Sequence, residues 1–211
     1  MLNDPKEHSR LVLIRHPLLA EPFARQALGQ GSAELARRGR SQWLQVMKTL
    51  DAIPIDRVFA APVAHSSEPA RALAGDRDLE LEEDPRLLDQ DLGDWSGKLW
   101  EEIRREDPDK IKEFFLSYGT AAAPGGESLN ESLDRIRSWW EDLRGEVFEK
   151  TVAVVAGGHL LQGFAAWLIG LSLGRAPALA LPPGAFGILD VYTDGAVCRC
   201  WHPLCLSEEM P

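Results

Sequence analysis

The stretch Leu11-Val12-Leu13-Ile14-Arg15-His16-Pro17 constrains this chain more than any other. Its apolar run shows no polar alternation, as expected of a strand covered on both faces. Pro17 has no N–H to give to a ladder, so Arg15 and His16 are expected at the C-terminal end of that strand. In open α/β sheets this edge is where ligands bind. An arginine there supplies a fixed anion clamp, and the adjacent histidine a nucleophile or proton carrier.

Two further stretches fit the same plan. Ile53 to Ala61 reads as a second strand ending at Pro62, and Thr151-Val152-Ala153-Val154-Val155-Ala156 as a third. Helices are expected between them. Trp43, Val46, Met47 and Leu50 share one face of the first. Ser66 or Ser67 is a candidate cap for a short second one running to Ala74. Leu79 to Glu82 alternates like an edge strand. Residues 84–97 have no helical period and read as an acidic loop pinned by Leu and Trp. Two helical pieces separated at Pro108 follow, the second carrying Ile111, Phe114, Phe115 and Tyr118. Ser128 and Glu131 form a capping box, after which Leu129, Leu133, Ile136, Trp140, Leu143 and Val147 make one apolar stripe. Phe186 to Tyr192 and Ala196 to Trp201 flank a Thr193-Asp194-Gly195 turn and read as a hairpin. Strands alternating with helices predict a three-layer α/β/α architecture with a mostly parallel central sheet. A length of 211 residues suits one domain covering 1–211.

A net charge of −10 argues against nucleic acid or an anionic membrane as the main partner, while a small phosphorylated molecule remains compatible through a local basic pocket. The polar start and the interruption of Leu160–Leu173 by Gln162 and Gly163 argue against a signal peptide and a membrane span; a cytoplasmic protein is expected. Three cysteines give no disulfide framework. Cys198, Cys200, His202 and Cys205 lack the usual Cys-x-x-Cys spacing, so no metal site is expected of them. Exposed aromatics on the hairpin are compatible with a homodimer.

The order of these pieces resembles the histidine phosphatase superfamily, with its phosphoglycerate mutase-like fold. That family carries a strand ending in Arg-His-Gly, similar to Arg15-His16-Pro17, and a Leu-x-x-x-Gly helix start, similar to Leu35 through Gly39. Its Ser-Ser-Pro-Leu-x-Arg segment is matched loosely by Ala60-Ala61-Pro62-Val63-Ala64-His65. Its Leu-x-Glu-x-x-x-Gly-x-Trp-x-Gly loop resembles Leu87 through Gly97. Pro124-Gly125-Gly126-Glu127-Ser128 repeats a five-residue family motif, and Val154 through Gly158 stands where the family has Val-Val-Ser-His-Gly. Ala27 through Ser32 vaguely resembles a loop of α-ribazole phosphatase-like members.

The resemblance implies hydrolysis of a phosphomonoester through a phosphohistidine on His16, with no cofactor. Arg15, His65 and His159 would then be phosphate-binding and Asp89 the general acid. Four positions depart from the family pattern. Pro17 replaces a glycine, Asp89 a glutamate, His65 the second arginine and Gly157 the second histidine. His159 either reaches the pocket to compensate or simply opens its helix. A catalytically impaired relative that binds an anionic ligand or a protein partner without turnover is the alternative.

Overall fold

The computed structural model describes residues 8–202, with only the backbone of His202. Six strands form one sheet: β1 (Ser9–Arg15), β2 (Arg57–Ala60), β3 (Leu81–Glu83), β4 (Thr151–Ala156), β5 (Phe186–Tyr192) and β6 (Gly195–His202). Their order is β3-β2-β4-β1-β5-β6. The first four run parallel, and the β5–β6 hairpin is antiparallel to β1. A mostly parallel three-layer sheet is therefore what the chain builds.

The layers follow from strand alternation. Leu11 and Leu13 of β1 pack with Val152 and Val154 of β4 against α5 (Leu129–Leu143) and α6 (Gly158–Leu168). Val12 and Ile14 face the other way with Ala153 and Val155, against α1 (Arg37–Leu50) and α2 (Ala64–Gly75). Every side chain from Leu11 to Ile14 is fully buried, which explains why this strand carries no polar alternation.

Boundaries differ from the sequence reading at several places: β3 begins at Leu81 and not Leu79, α5 ends at Leu143, short of Val147, and two further differences have a local cause. β2 is confined to Arg57–Ala60, because Asp56 is drawn into a loop contact by the Thr151 N–H, which donates to its carboxylate. Neither Ser66 nor Ser67 caps α2, whose N-cap is Val63; both serines lie inside the helix and are buried. The capping box of α5 forms as expected: Ser128 N–H donates to Glu131 Oε2 at 2.7 Å, and Glu131 N–H to Ser128 Oγ at 3.3 Å.

A third cluster sits away from the sheet. Ala27, Leu92, Trp95, Ile103, Ile111 and Ala123 bring together the 18–34 loop, the acidic loop, α3 (Trp100–Glu106) and α4 (Pro108–Leu116). Gly93 lets the acidic loop touch the Pro124-Gly125-Gly126 turn. Its φ is +48°, and a Cβ there would collide with the backbone of Pro124, Gly125 and Gly126. Among the described residues no helix is long and apolar enough to cross a membrane.

Candidate active site

Parallel strands end on one side, and this geometry gathers the residues singled out from sequence. Arg15 ends β1 opposite Ala156, so His16 and Pro17 emerge beside Gly157 and Gly158. Ala60 is paired with Val155, and the chain leaving β2 places His65 in the first turn of α2. The loop after β3 supplies Asp89, and the first turn of α6 supplies His159. Arg15, His16, His65, Asp89 and His159 all line one cavity of about 200 Å³. A larger cavity of about 460 Å³ lies by the β5–β6 turn, near the opposite end of β1. It is lined by Trp140, Arg144, Trp167 and Tyr192 and holds none of these residues. The smaller cavity is the candidate site because the reactive groups converge there.

His16 is buried, and its Nδ1 lies 2.9 Å from the Pro17 carbonyl oxygen. A carbonyl only accepts, so Nδ1 carries the proton and Nε2 keeps a free lone pair. The proline at position 17 thus fixes the imidazole tautomer through its carbonyl, at the expense of a backbone N–H. Burial, helped by the neighbouring His65 and Arg15, pushes the His16 pKa down to about 3 although the Pro17 bond opposes the shift. The ring is a neutral nucleophile at any ordinary pH.

The His65 ring stands 4.6 Å from that of His16, centroid to centroid, at 75°. Burial lowers its pKa to about 4 against the opposing charge of Asp89. His65 is therefore neutral above this value, and what it offers an anion is a neutral N–H. Its Nδ1 is buried without a hydrogen-bond partner, as is Arg15 Nε. The remainder of the Arg15 guanidinium is anchored by Nη1, which donates to the Leu181 carbonyl at 2.9 Å. Burial lowers the arginine's pKa and the Asp89 carboxylate raises it, so the two charges lie within electrostatic reach of each other.

Gly157 and Asp89 are sterically linked. A Cβ on Gly157 would lie 2.8 Å from Asp89 Oδ1 and nearer still to Cγ and Oδ2. The Asp89 carboxylate thus rests in the space a side chain at 157 would enter. Gly157 has φ −70° and ψ 149°, an ordinary extended conformation, so its lack of a side chain answers to space and not to backbone geometry. Gly158 is similarly restricted, since a Cβ there would sit 2.8 Å from Arg15 Nε. His159 is exposed and stands at the rim of the cavity.

The loop that carries Asp89 is held by residues the sequence reading did not single out. Arg135 of α5 donates to the carbonyls of Arg86 (3.1 Å), Leu88 (3.2 Å) and Asp89 (3.3 Å), and pairs with Glu127. Glu127 Oε1 in turn accepts from the Asp91 N–H at 2.9 Å, and the Glu127 carbonyl accepts from Gln90 Nε2 at 2.7 Å. The Pro-Gly-Gly-Glu-Ser motif therefore positions the acidic loop. Its sequence contained the signal for Glu127; an arginine on the polar side of an amphipathic helix gave none for Arg135. The aromatic wall of the cavity (Phe23, Trp100, Phe114 and Phe115) was also missed, because these residues come from three separate elements.

Of the sparse cysteine cluster, Cys198 and Cys200 are free thiols on β6. Cys205 and the His202 side chain lie outside the described residues. Among the described residues no group of three or more His, Cys, Asp or Glu side chains is placed to hold a metal ion.

An arginine and two histidines converging at the carboxyl edge of a parallel sheet, with a carboxylate opposite, make a site suited to binding and transferring a tetrahedral anion. The chain belongs to the histidine phosphatase superfamily (branch 1), whose family model matches residues 11–203. It is 25% identical over 182 residues to Phosphoserine phosphatase 1 of Hydrogenobacter thermophilus, covering 86% of each chain. It is 26% identical over 192 residues to a bifunctional protein of Mycobacterium tuberculosis, and there spans 89% of its own length but only 52% of that relative's. Its backbone superposes on the crystal structure of a putative α-ribazole-5′-phosphate phosphatase from Escherichia coli with a TM-score of 0.84 at 21% identity, covering 95% of this chain and 99% of that one. At that identity the likeness speaks for the fold, which is phosphoglycerate mutase-like.

Proposed function

We propose that the chain is a phosphomonoesterase acting on a small phosphorylated molecule. His16 Nε2 attacks phosphorus, forming the N–P bond as the ester P–O bond breaks. Asp89, entering as the acid, gives its proton to the leaving oxygen. Arg15 and the His65 N–H hold the non-bridging oxygens, neutralising charge as it spreads over them. In the second half, water attacks the phosphohistidine, Asp89 takes up its proton, and phosphate leaves as the N–P bond opens.

The observation that carries this reading is the fixed tautomer of His16: Nδ1 tied to Pro17 O leaves Nε2 as the lone-pair nitrogen in a cavity shared with Arg15 and His65. Membership of the family and the likeness to a phosphoserine phosphatase support the same chemistry. A second reading, binding without turnover, is favoured by one feature. A carboxylate fills the lobe above Gly157, which leaves one phosphate ligand fewer and an anion beside the site.

The test is hydrolysis of 1-naphthyl phosphate by the native chain and by His16→Ala, with inorganic phosphate as competitor. An alkaline quench and mass spectrometry read the acid-labile phosphohistidine directly. Turnover abolished in the variant, with a phosphoryl group on His16 in the native protein, is the expected result. Equal inertness of both proteins over a panel of phosphomonoesters, with phosphate still bound, would replace this reading by the second.

A further inference from the structure

Beyond the phosphoryl subsite, the same cavity has a wall of a different character. Phe23, Leu28, Leu92, Trp100, Phe114 and Phe115 line it. This wall is built in advance of any ligand. Trp95 meets Phe114 edge to face at 5.3 Å and Trp100 at 6.5 Å. Phe115 contacts both Trp100 (5.7 Å) and Phe114 (5.4 Å). The loop bearing Phe23 and Leu28 is sewn to the start of α3, where Ala27 N–H donates to Lys98 O (2.8 Å) and Gly97 N–H to Ala27 O (2.9 Å). Phe115 nonetheless leaves 51% of its surface in water, an apolar face that a ligand would cover.

Charge along the lining points the same way. Among the described residues Arg15 is its one permanent cation, anchored to Leu181 and assigned to the phosphoryl group in the phosphatase reading, and Asp89 is its one carboxylate. The Gln90 amide gives one of its two N–H groups to Glu127 O. A carboxylate on the leaving group would therefore meet Asp89, apolar carbon and neutral amide groups of Gln26 and Gln90, with the rim histidine His159 beside them. An adjoining cavity of about 70 Å³ shares Gln90, Phe114, Phe115 and His159 and is closed by Leu129 and by Tyr118, whose hydroxyl is an uncharged group buried without a hydrogen-bond partner.

We propose that the ester hydrolysed here is that of an uncharged apolar or aromatic alcohol, with Phe114, Phe115 and Trp100 as the residues that select it. This rests on the phosphatase reading of the same site. A site that meets a substrate's charge with apolar carbon discriminates against it strongly, and even a methylene of apolar fit is worth about 10–200-fold.

The experiment compares kcat/KM for 2-phenylethyl phosphate and O-phosphoserine, both alkyl esters, in the native protein and in Phe115→Lys. Native protein is expected to prefer the phenylethyl ester by at least about tenfold. Phe115→Lys is expected to shrink that ratio severalfold by lowering the phenylethyl rate and raising the phosphoserine rate, and His159→Asn to preserve the native ranking. Equal or greater efficiency with phosphoserine in the native protein overturns the proposal. If neither ester turns over, the phosphatase reading fails separately, and calorimetric binding of the two esters to the native protein decides this one: tighter phenylethyl phosphate supports it, and equal or weaker binding refutes it.

Discussion

Gly157→Ala isolates the coupling between an absent side chain and the carboxylate that fills its space. The new Cβ would stand 2.8 Å from Asp89 Oδ1 and closer to Cγ and Oδ2, where ordinary contact begins at 3.4 Å. The carboxylate must therefore retreat by more than half an ångström. It is the end of a side chain on a half-buried loop, so the cost of moving it to another rotamer is about 0.5–1.5 kcal/mol. Against this, alanine fits the existing φ and ψ, and replacing glycine at such a position contributes about 0.4–1 kcal/mol through the unfolded chain. Net stability should change by less than about 1 kcal/mol in urea unfolding. Activity should fall much further, since displacing a catalytic group by an ångström costs on the order of 10²-fold. Asp89→Ala alone should lose about 10²–10⁴-fold, most of all with an alkyl ester, whose leaving oxygen depends on the acid. The double variant should be no slower than Asp89→Ala, because both substitutions remove the same positioned proton. Multiplication of the two losses, or full activity in Gly157→Ala, would refute the coupling.

Three further outcomes can be checked directly. With His16 at about 3 and His65 at about 4, the unfolded chain binds protons below its ordinary histidine pKa of ~6.5 while the folded one does not. Stability contributed by the two neutral rings is therefore complete above pH ~6.5 and is lost as pH falls, by about 2–3 kcal/mol for His16 at pH 4.5; urea midpoints at pH 7 and 4.5 should differ less in His16→Ala/His65→Asn than in the native protein. Arg135→Ala orphans the carbonyls of Arg86, Leu88 and Asp89 and leaves the Glu127 carboxylate without its cation, so a loss of about 2–4 kcal/mol is expected, with kcat falling more than phosphate inhibition weakens. Gly93→Ala meets both a positive φ and the backbone at 124–126; it should lose about 2 kcal/mol or more by urea unfolding and lower activity by shifting the acidic loop, and an unchanged midpoint would contradict this contact.

The layered fold was legible because periodicity reports burial. Four apolar residues in succession in β1 could only be satisfied by cover on both faces, and the Ser128/Glu131 box marked where α5 begins. Strand ends were legible too, since Pro17 and the Gly157-Gly158 pair announce where ladders stop. Ser66 and Ser67 misled because a hydroxyl near a helix start resembles a cap, while the buried face of α2 required small side chains there.

Sequence by itself determined which reactive side chains stand at the strand ends, because a strand's termination is a local property of a few residues. The same holds for which residues stand at positions 17, 65, 89 and 157. Tertiary structure alone decided what those residues are. His65 is a neutral donor because its neighbours exclude water, Asp89 occupies the lobe over Gly157 because two distant loops meet there, and Arg135 holds that loop from another helix. Desolvation and steric exclusion depend on what the chain brings from elsewhere, and no spacing in the sequence records that.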